Sequence, residues 1–144
     1  RGALLLIDYG FPRHEFYHPQ RDAGTLMCHY RHHAHGEPFY LPGLQDITVH
    51  VDFTAIVEAG FNAGLELLGY TTQSTFLLNC GLPEILARTR TDDYARYLPQ
   101  AQAAQKLISP AEMGELFKVI VLGKGIEGDE ALIGFARGDR SETL

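Results

Sequence analysis

Lysine is scarce in this chain, confined to Lys106, Lys118 and Lys124. Even with arginine included, 12 basic residues face 18 acidic ones, for a formal charge of −6. That balance argues against a nucleic acid or an anionic membrane held by bulk electrostatics, and leaves a cationic partner open. Cysteine is scarcer still. Cys28 and Cys80 are far apart and form no CxxC pair, so free thiols in a reducing compartment are expected and a disulfide is not. No apolar run approaches the ~18 residues of a membrane span, and no signal-peptide pattern is visible. The expected location is cytoplasmic. An initiating methionine is missing too: the chain opens at Arg1 and runs almost at once into a strand-like segment. We therefore expect the C-terminal piece of a longer polypeptide.

What is present is the material for one ordinary domain. The 144 residues are 45% hydrophobic and 21% charged, enough for a single core. The opening run Leu4-Leu5-Leu6-Ile7 leads into Asp8, Tyr9 and Gly10. A short continuous apolar run reads as a strand buried on both faces of a parallel sheet, and Gly10 allows a sharp exit. In open α/β sheets, ligands bind beyond the carboxyl ends of the strands, which places Asp8 and Tyr9 at a candidate site.

Residues 11–45 carry little periodicity but many aromatic side chains, among them Phe11, Phe16, Tyr17, Tyr30, Phe39 and Tyr40. Disordered segments lack such content, so an ordered functional lid or wall is expected. From Asp46 to Phe53 the pattern alternates. Ile47, Val49, Val51 and Phe53 fall on one face of an extended segment, and Asp46, Thr48, His50 and Asp52 on the other. Asp52 can cap a helix ending near Gly64; the extended segment and helix together span 46–64. Leu65–Gln73 reads as a strand. The stretch 74–122 reads as a helical insertion. Its short helices are 74–78 and 83–88. A helix capped by Asp92 or Asp93 follows, with a stripe of Tyr94, Tyr97, Leu98, Ala101 and Ile108 that Pro99 should bend or interrupt. Ser109, Pro110 and Glu112 form a capping signature for one more helix, although the β-branched run Val119-Ile120-Val121 fits a strand as well. A turn over 123–130 and a last strand over 132–136 complete the single domain.

The combination of motifs resembles one family. It comprises Ile7-Asp8-Tyr9-Gly10, Gly24-Thr25-Leu26-Met27-Cys28, His32, His35, Pro42-Gly43, the Asp46–Phe53 block, Gly69-Tyr70-Thr71-Thr72-Gln73, Phe76-Leu77-Leu78 and Phe117-Lys118-Val119. Together they look like the C-terminal part of the mitochondrial dysfunction protein A (MidA) family of S-adenosylmethionine-dependent methyltransferases. That family includes a mitochondrial complex I assembly factor similar to a protein-arginine methyltransferase. The resemblance implies an α/β fold, the C-terminal half of a seven-stranded, class I (Rossmann-like) methyltransferase sheet, mixed with an antiparallel last strand. Residues 3–9 would be its fifth strand, 65–73 the sixth and 132–136 the seventh. It also implies a protein substrate, a respiratory complex I subunit in relatives, and the mitochondrial matrix if the source is eukaryotic. The glycine-rich loop and ribose-binding acid of the family have no counterpart here. Gly123-Lys124-Gly125 does not open a helix and cannot replace them. S-adenosylmethionine is thus the expected cofactor of the parent protein, with no cofactor-binding residue assigned in this chain and the isolated chain expected to be inactive.

Under that resemblance Asp46 and His50 are the candidate catalytic residues. Carboxylates can hold a guanidinium in place, and a neighbouring imidazole can accept the proton that the nitrogen loses. Asp8, Tyr9, Thr48, Asp52, Tyr30, His32 and His35 are candidates for binding the substrate. The blander roles are clear as well: Asp52 as a helix cap, Asp46 as a turn residue, His50 as a satisfied surface side chain, Asp8 as an acceptor for backbone N–H groups.

All seven histidines lie between His14 and His50, but Cys28, His29, His32, His33 and His35 match no standard zinc spacing, and no metal is assigned. Nor does anything mark an oxyanion hole that would make Cys28 a nucleophile. The alternative to an enzyme is a non-catalytic interaction domain that binds a partner through the aromatic and histidine loop and an exposed sheet edge. With the fourth strand of the family missing, strand 3–9 would be an open apolar edge, and a homo-oligomer joined along it is expected.

Overall fold

The computed structural model describes residues 1–126 and 132–144. Strands β1 (Gly2–Phe11), β5 (Val51–Asp52), β6 (Glu66–Thr72) and β7 (Phe117–Lys124) form one sheet in the order β5-β1-β7-β6. Strands β2 (Met27–Tyr30), β3 (His33–His35) and β4 (Asp46–Thr48) form a second, ordered β3-β2-β4. The helices are α1 (Arg13–Phe16), α2 (Phe53–Asn62), α3 (Gln73–Asn79), α4 (Leu82–Leu86) and α5 (Tyr94–Ile108).

The larger sheet is built around β7, which runs antiparallel to both β1 and β6. Val119, Ile120, Val121 and Leu122 are all buried. On one face Ile120 packs with Phe53 of α2, Tyr70 of β6 and Leu6 of β1. On the other, Val119 and Val121 meet Phe135, with Phe76 of α3 against them. A strand covered on both faces wants a continuous apolar run, and this segment supplies one.

The capping signature at Ser109 does not start a helix. Ser109 follows the end of α5, and its carbonyl accepts the N–H groups of Glu112 and Gly114 at 3.1 and 2.8 Å, closing a turn. A Cβ on Gly114 would collide with the carbonyl of Ile108. The local cap signal loses to β-branched side chains that the sheet buries on both sides, where a helix would bury only one stripe. So the helical insertion spans α3 to α5 and ends before β7. The expected last strand over 132–136 is instead a single 3-10 turn, Ile133–Phe135, and β7 supplies the antiparallel strand. Of the turn expected at 123–130, Gly123 and Lys124 belong to β7, and 127–131 lie outside the described residues. Helix α5 runs through Pro99, whose missing N–H costs one internal bond.

Helix α2 follows its sequence signals. Asp52 Oδ1 accepts the Ala55 N–H at 3.1 Å, and Gly64 takes a left-handed φ of 75° just past the end. Strand β1 departs from expectation in two ways. It does not leave the sheet at Gly10 but continues to Phe11, pairing Gly10 with Val51 and Phe11 with Asp52 in parallel. Gly10 is needed because a Cβ there would strike the Val51 backbone. Nor is β1 buried on both faces: Leu4, Leu5 and Ile7 are 46–48% exposed. Strand β5 covers only the last two residues of the edge that faces away from β7.

A cleft at the carboxyl end of the first strand

Residues 11–45 are not structureless. They contribute β2 and β3, and β2 pairs antiparallel with β4 in the register Met27 to Thr48 and His29 to Asp46. Residues two apart on paired strands share a face. That face carries Met27, His29, Asp46 and Thr48 into a cleft of about 650 Å³, with Tyr9 and Phe11 of β1 lining it as well. The intervening Cys28 is fully buried. The alternation expected over 46–53 is real, but its apolar half is split. Strands β4 and β5 belong to different sheets, so Ile47 and Val49 are half exposed while Phe53 is buried in the core.

His50 lies in the break between β4 and β5 and lines the cleft. Its imidazole stacks on Phe11, with centroids 5.0 Å apart and planes 21° from parallel. Tyr9 meets it edge-on at 5.3 Å. Its backbone N–H donates to Thr25 Oγ1 at 3.2 Å, and its buried Nδ1 has no hydrogen-bond partner among the described residues. Burial pushes the His50 pKa below the usual 6.5; the cations of Arg21 and Lys118 push the same way, while Thr25 and Asp8 oppose. At neutral pH the ring is uncharged and can accept a proton.

Two cations border this ring system. The Arg21 guanidinium lies 3.7 Å from the centre of the Phe11 ring, and its Nη1 donates to the Glu15 carbonyl at 2.7 Å. Lys118 is buried, and its Nζ donates to the carbonyls of Glu115 and Leu116. Desolvation lowers its pKa. Leu116 lines the cleft, so Lys118 pins part of the wall.

Asp46, Thr48, His50 and Tyr9 thus converge on one cleft; the other five candidates are not among its lining residues. Asp8 is exposed and accepts the N–H of Tyr9 at 2.8 Å, because successive strand residues point to opposite faces. Asp52 is engaged twice, capping α2 and pairing with Arg13 at 3.3 Å. Tyr30, His32 and His35 belong to the β2–β3 hairpin. His32 takes a positive φ of 68° in its turn, and Tyr30 and His35 pack edge-on to Tyr40 at 6.5 and 5.4 Å. That hairpin directs them away from the cleft and leaves His29 as the loop histidine that reaches it. Among the described residues no group of three or more His, Cys, Asp or Glu could hold a metal ion. Among the cleft residues that the sequence did not mark as site candidates are Phe11, Arg21 and Thr25. They come from an aperiodic segment: the pairing of β1 with β5 brings Phe11 beside His50, the β2–β4 register brings Thr25, and Arg21 joins by stacking on Phe11.

An antiparallel strand between two parallel ones, with a largely apolar cleft at the end of β1 that carries a few polar side chains, defines a mixed α/β domain with a candidate ligand site. Residues 1–71 match the sequence model of a family described as "Putative S-adenosyl-L-methionine-dependent methyltransferase". Among curated proteins it is similar to the mitochondrial protein arginine methyltransferase NDUFAF7 of Bos taurus, 31% identical over 84% of this chain and 26% of that protein. Its counterpart from Danio rerio is 29% identical over 81% of this chain and 26% of its own length. Among solved structures, an uncharacterized protein from Burkholderia thailandensis is 64% identical with a TM-score of 0.95, over all of this chain and 38% of that one. A superfamily member from the same organism, bound to S-adenosyl-homocysteine, is 64% identical with a TM-score of 0.96, over all of this chain and 37% of that one. The chain therefore spans about a quarter of the curated relatives it matches.

Proposed function

We propose that this chain forms the acceptor side of an S-adenosyl-L-methionine-dependent methyltransferase whose acceptor is a protein arginine. The observation that carries the reading is the convergence of Asp46, Thr48 and His50 with Tyr9 on one cleft at the carboxyl end of β1. The arginine-methyltransferase relatives support the choice of acceptor. In this reading β1, β6 and β7 are the fifth, sixth and seventh strands of a seven-stranded sheet, completed by the rest of a longer polypeptide.

The cofactor supplies the methyl group. We assign its cradle to the rest of the longer polypeptide, since β1 enters α1 through Phe11-Pro12 and β6 enters α3 at Thr72-Gln73, without a glycine-rich loop at either junction. What the chain's own residues do is hold the acceptor. Asp46 accepts hydrogen bonds from the guanidinium and fixes its orientation. His50 is kept neutral by burial and held by Phe11 and Tyr9, so it can take the proton released as the nitrogen is alkylated. The test is methyl transfer to arginine peptides by the full-length protein, with Asp46→Asn and His50→Gln compared against wild type.

A second reading, a non-catalytic interaction domain, is favoured by the open edge of β1 with its exposed Leu4, Leu5 and Ile7. Calorimetry of the full-length protein with S-adenosyl-homocysteine separates the two: absence of binding removes the enzyme. On either reading the edge is joined by a second copy when the chain stands alone. The relatives' names place them in mitochondria. We assign the matrix to a eukaryotic source and the cytoplasm to a bacterial one.

A further inference from the structure

The cleft holds two opposite charges that do not meet. Arg21 and Asp46 both line it, yet neither lies within 4.0 Å of an oppositely charged group among the described residues. With His50 uncharged, they are the fixed charges of its lining. Arg21 is also held rigidly. Its backbone N–H donates to the His18 carbonyl at 2.8 Å, closing the Pro19–Arg21 turn. Its guanidinium is stacked on Phe11 and spends Nη1 on the Glu15 carbonyl. The Nε and Nη2 donors remain for a ligand. A planar fork of this kind suits a carboxylate, and its position is set before the ligand arrives. A purely cationic acceptor would be drawn to Asp46 and repelled by Arg21 in the same space. A ligand carrying both charges satisfies each.

Resting on the acceptor reading above, we infer that the acceptor carries a carboxylate beside its guanidinium, with Arg21 taking the carboxylate and Asp46 the guanidinium. A cleft of about 650 Å³ is within the usual range for small-ligand sites. Two sources supply this chemistry: an acidic residue flanking the arginine of a peptide, or the α-carboxylate of the free amino acid.

The experiment is calorimetric titration of the full-length protein with N-acetyl-Asp-Arg-amide, N-acetyl-Asn-Arg-amide, N-acetyl-Asp-Ala-amide, free arginine and arginine amide. The Asp-Arg peptide is expected to bind about tenfold more tightly than the Asn-Arg peptide, the worth of one charge-assisted hydrogen bond. Arg21→Gln should remove that advantage and Arg21→Lys should retain part of it, which guards against a fold defect in the glutamine variant. Asp46→Asn should weaken both arginine peptides. Free arginine binding as tightly as the Asp-Arg peptide, and arginine amide more weakly, supports the inference with the amino acid as source. Equal binding of Asp-Arg and Asn-Arg peptides, together with free arginine no tighter than arginine amide, overturns it while leaving the arginine reading intact, as does an advantage that survives Arg21→Gln. Equal binding of the Asp-Ala and Asp-Arg peptides overturns it by removing the guanidinium subsite, and the arginine reading falls with it.

Discussion

His50 stacks on Phe11 at a centroid separation of 5.0 Å, a contact between residues 39 positions apart in sequence. It exists because β5 pairs in parallel with the last two residues of β1. The stack buries the imidazole that faces the cleft, so the protonation of His50 reports directly on how the cleft is assembled.

The His50 titration follows from that contact. Its folded pKa lies below the unfolded value of 6.5 because burial disfavours the imidazolium. The unfolded chain thus binds more protons in the window that opens at 6.5 and extends downward. Stability contributed by the neutral ring is complete above 6.5 and is lost as pH falls through the folded pKa. NMR titration should place the His50 midpoint below 6.5 in wild type and move it upward in Phe11→Ala. An unchanged midpoint would show that the stack does not set it.

Asp52 is a structural acid. Asp52→Ala should lower stability by about 1 kcal/mol through loss of the α2 cap, read as a shift in the thermal midpoint. Asp52→Asn keeps a capping oxygen and should cost less. Equal losses would mean that the contact to Arg13 outweighs the cap.

Gly10→Ala should be costly although it adds one methyl group, since its Cβ meets the Val51 backbone and cannot rotate away. Overpacking of this kind costs about 1–3 kcal/mol. The variant should also shift His50 resonances, because β5 and the histidine beside it move together. A full thermal midpoint with unchanged His50 signals would contradict the close approach.

The open edge of β1 should make the isolated chain associate. Light scattering should show a dimer or larger species, and Leu5→Lys should shift it toward monomer, since a charge on an edge strand disfavours pairing. A stable wild-type monomer would contradict this.

Much of the scaffold was legible where a local signal matched a local cause. Asp52 and Gly64 bracket α2, and the alternation of Asp46, Thr48 and His50 places three polar side chains on one face, as the cleft shows. The signals failed where a distant partner decides. Ser109, Pro110 and Glu112 satisfy a helix-start pattern, but Val119 to Leu122 are claimed by two neighbouring strands and two buried faces. Tyr30, His32 and His35 lie in the same histidine-rich stretch as His29, and only the β2–β4 register separates them from the cleft. Arg21 and Phe11 carried no periodic signal, since their roles are created by β1 meeting β5.

The central claim is that this cleft handles the acceptor. The direct measurement is methyl transfer from radiolabelled S-adenosyl-L-methionine to an arginine peptide by the full-length protein, alongside calorimetric S-adenosyl-homocysteine binding. Asp46→Asn and His50→Gln should each lower transfer at least about tenfold, the scale of one positioned hydrogen bond or proton acceptor, with S-adenosyl-homocysteine affinity unchanged. Undiminished transfer in both variants, or loss of S-adenosyl-homocysteine binding in parallel with transfer, would contradict the account.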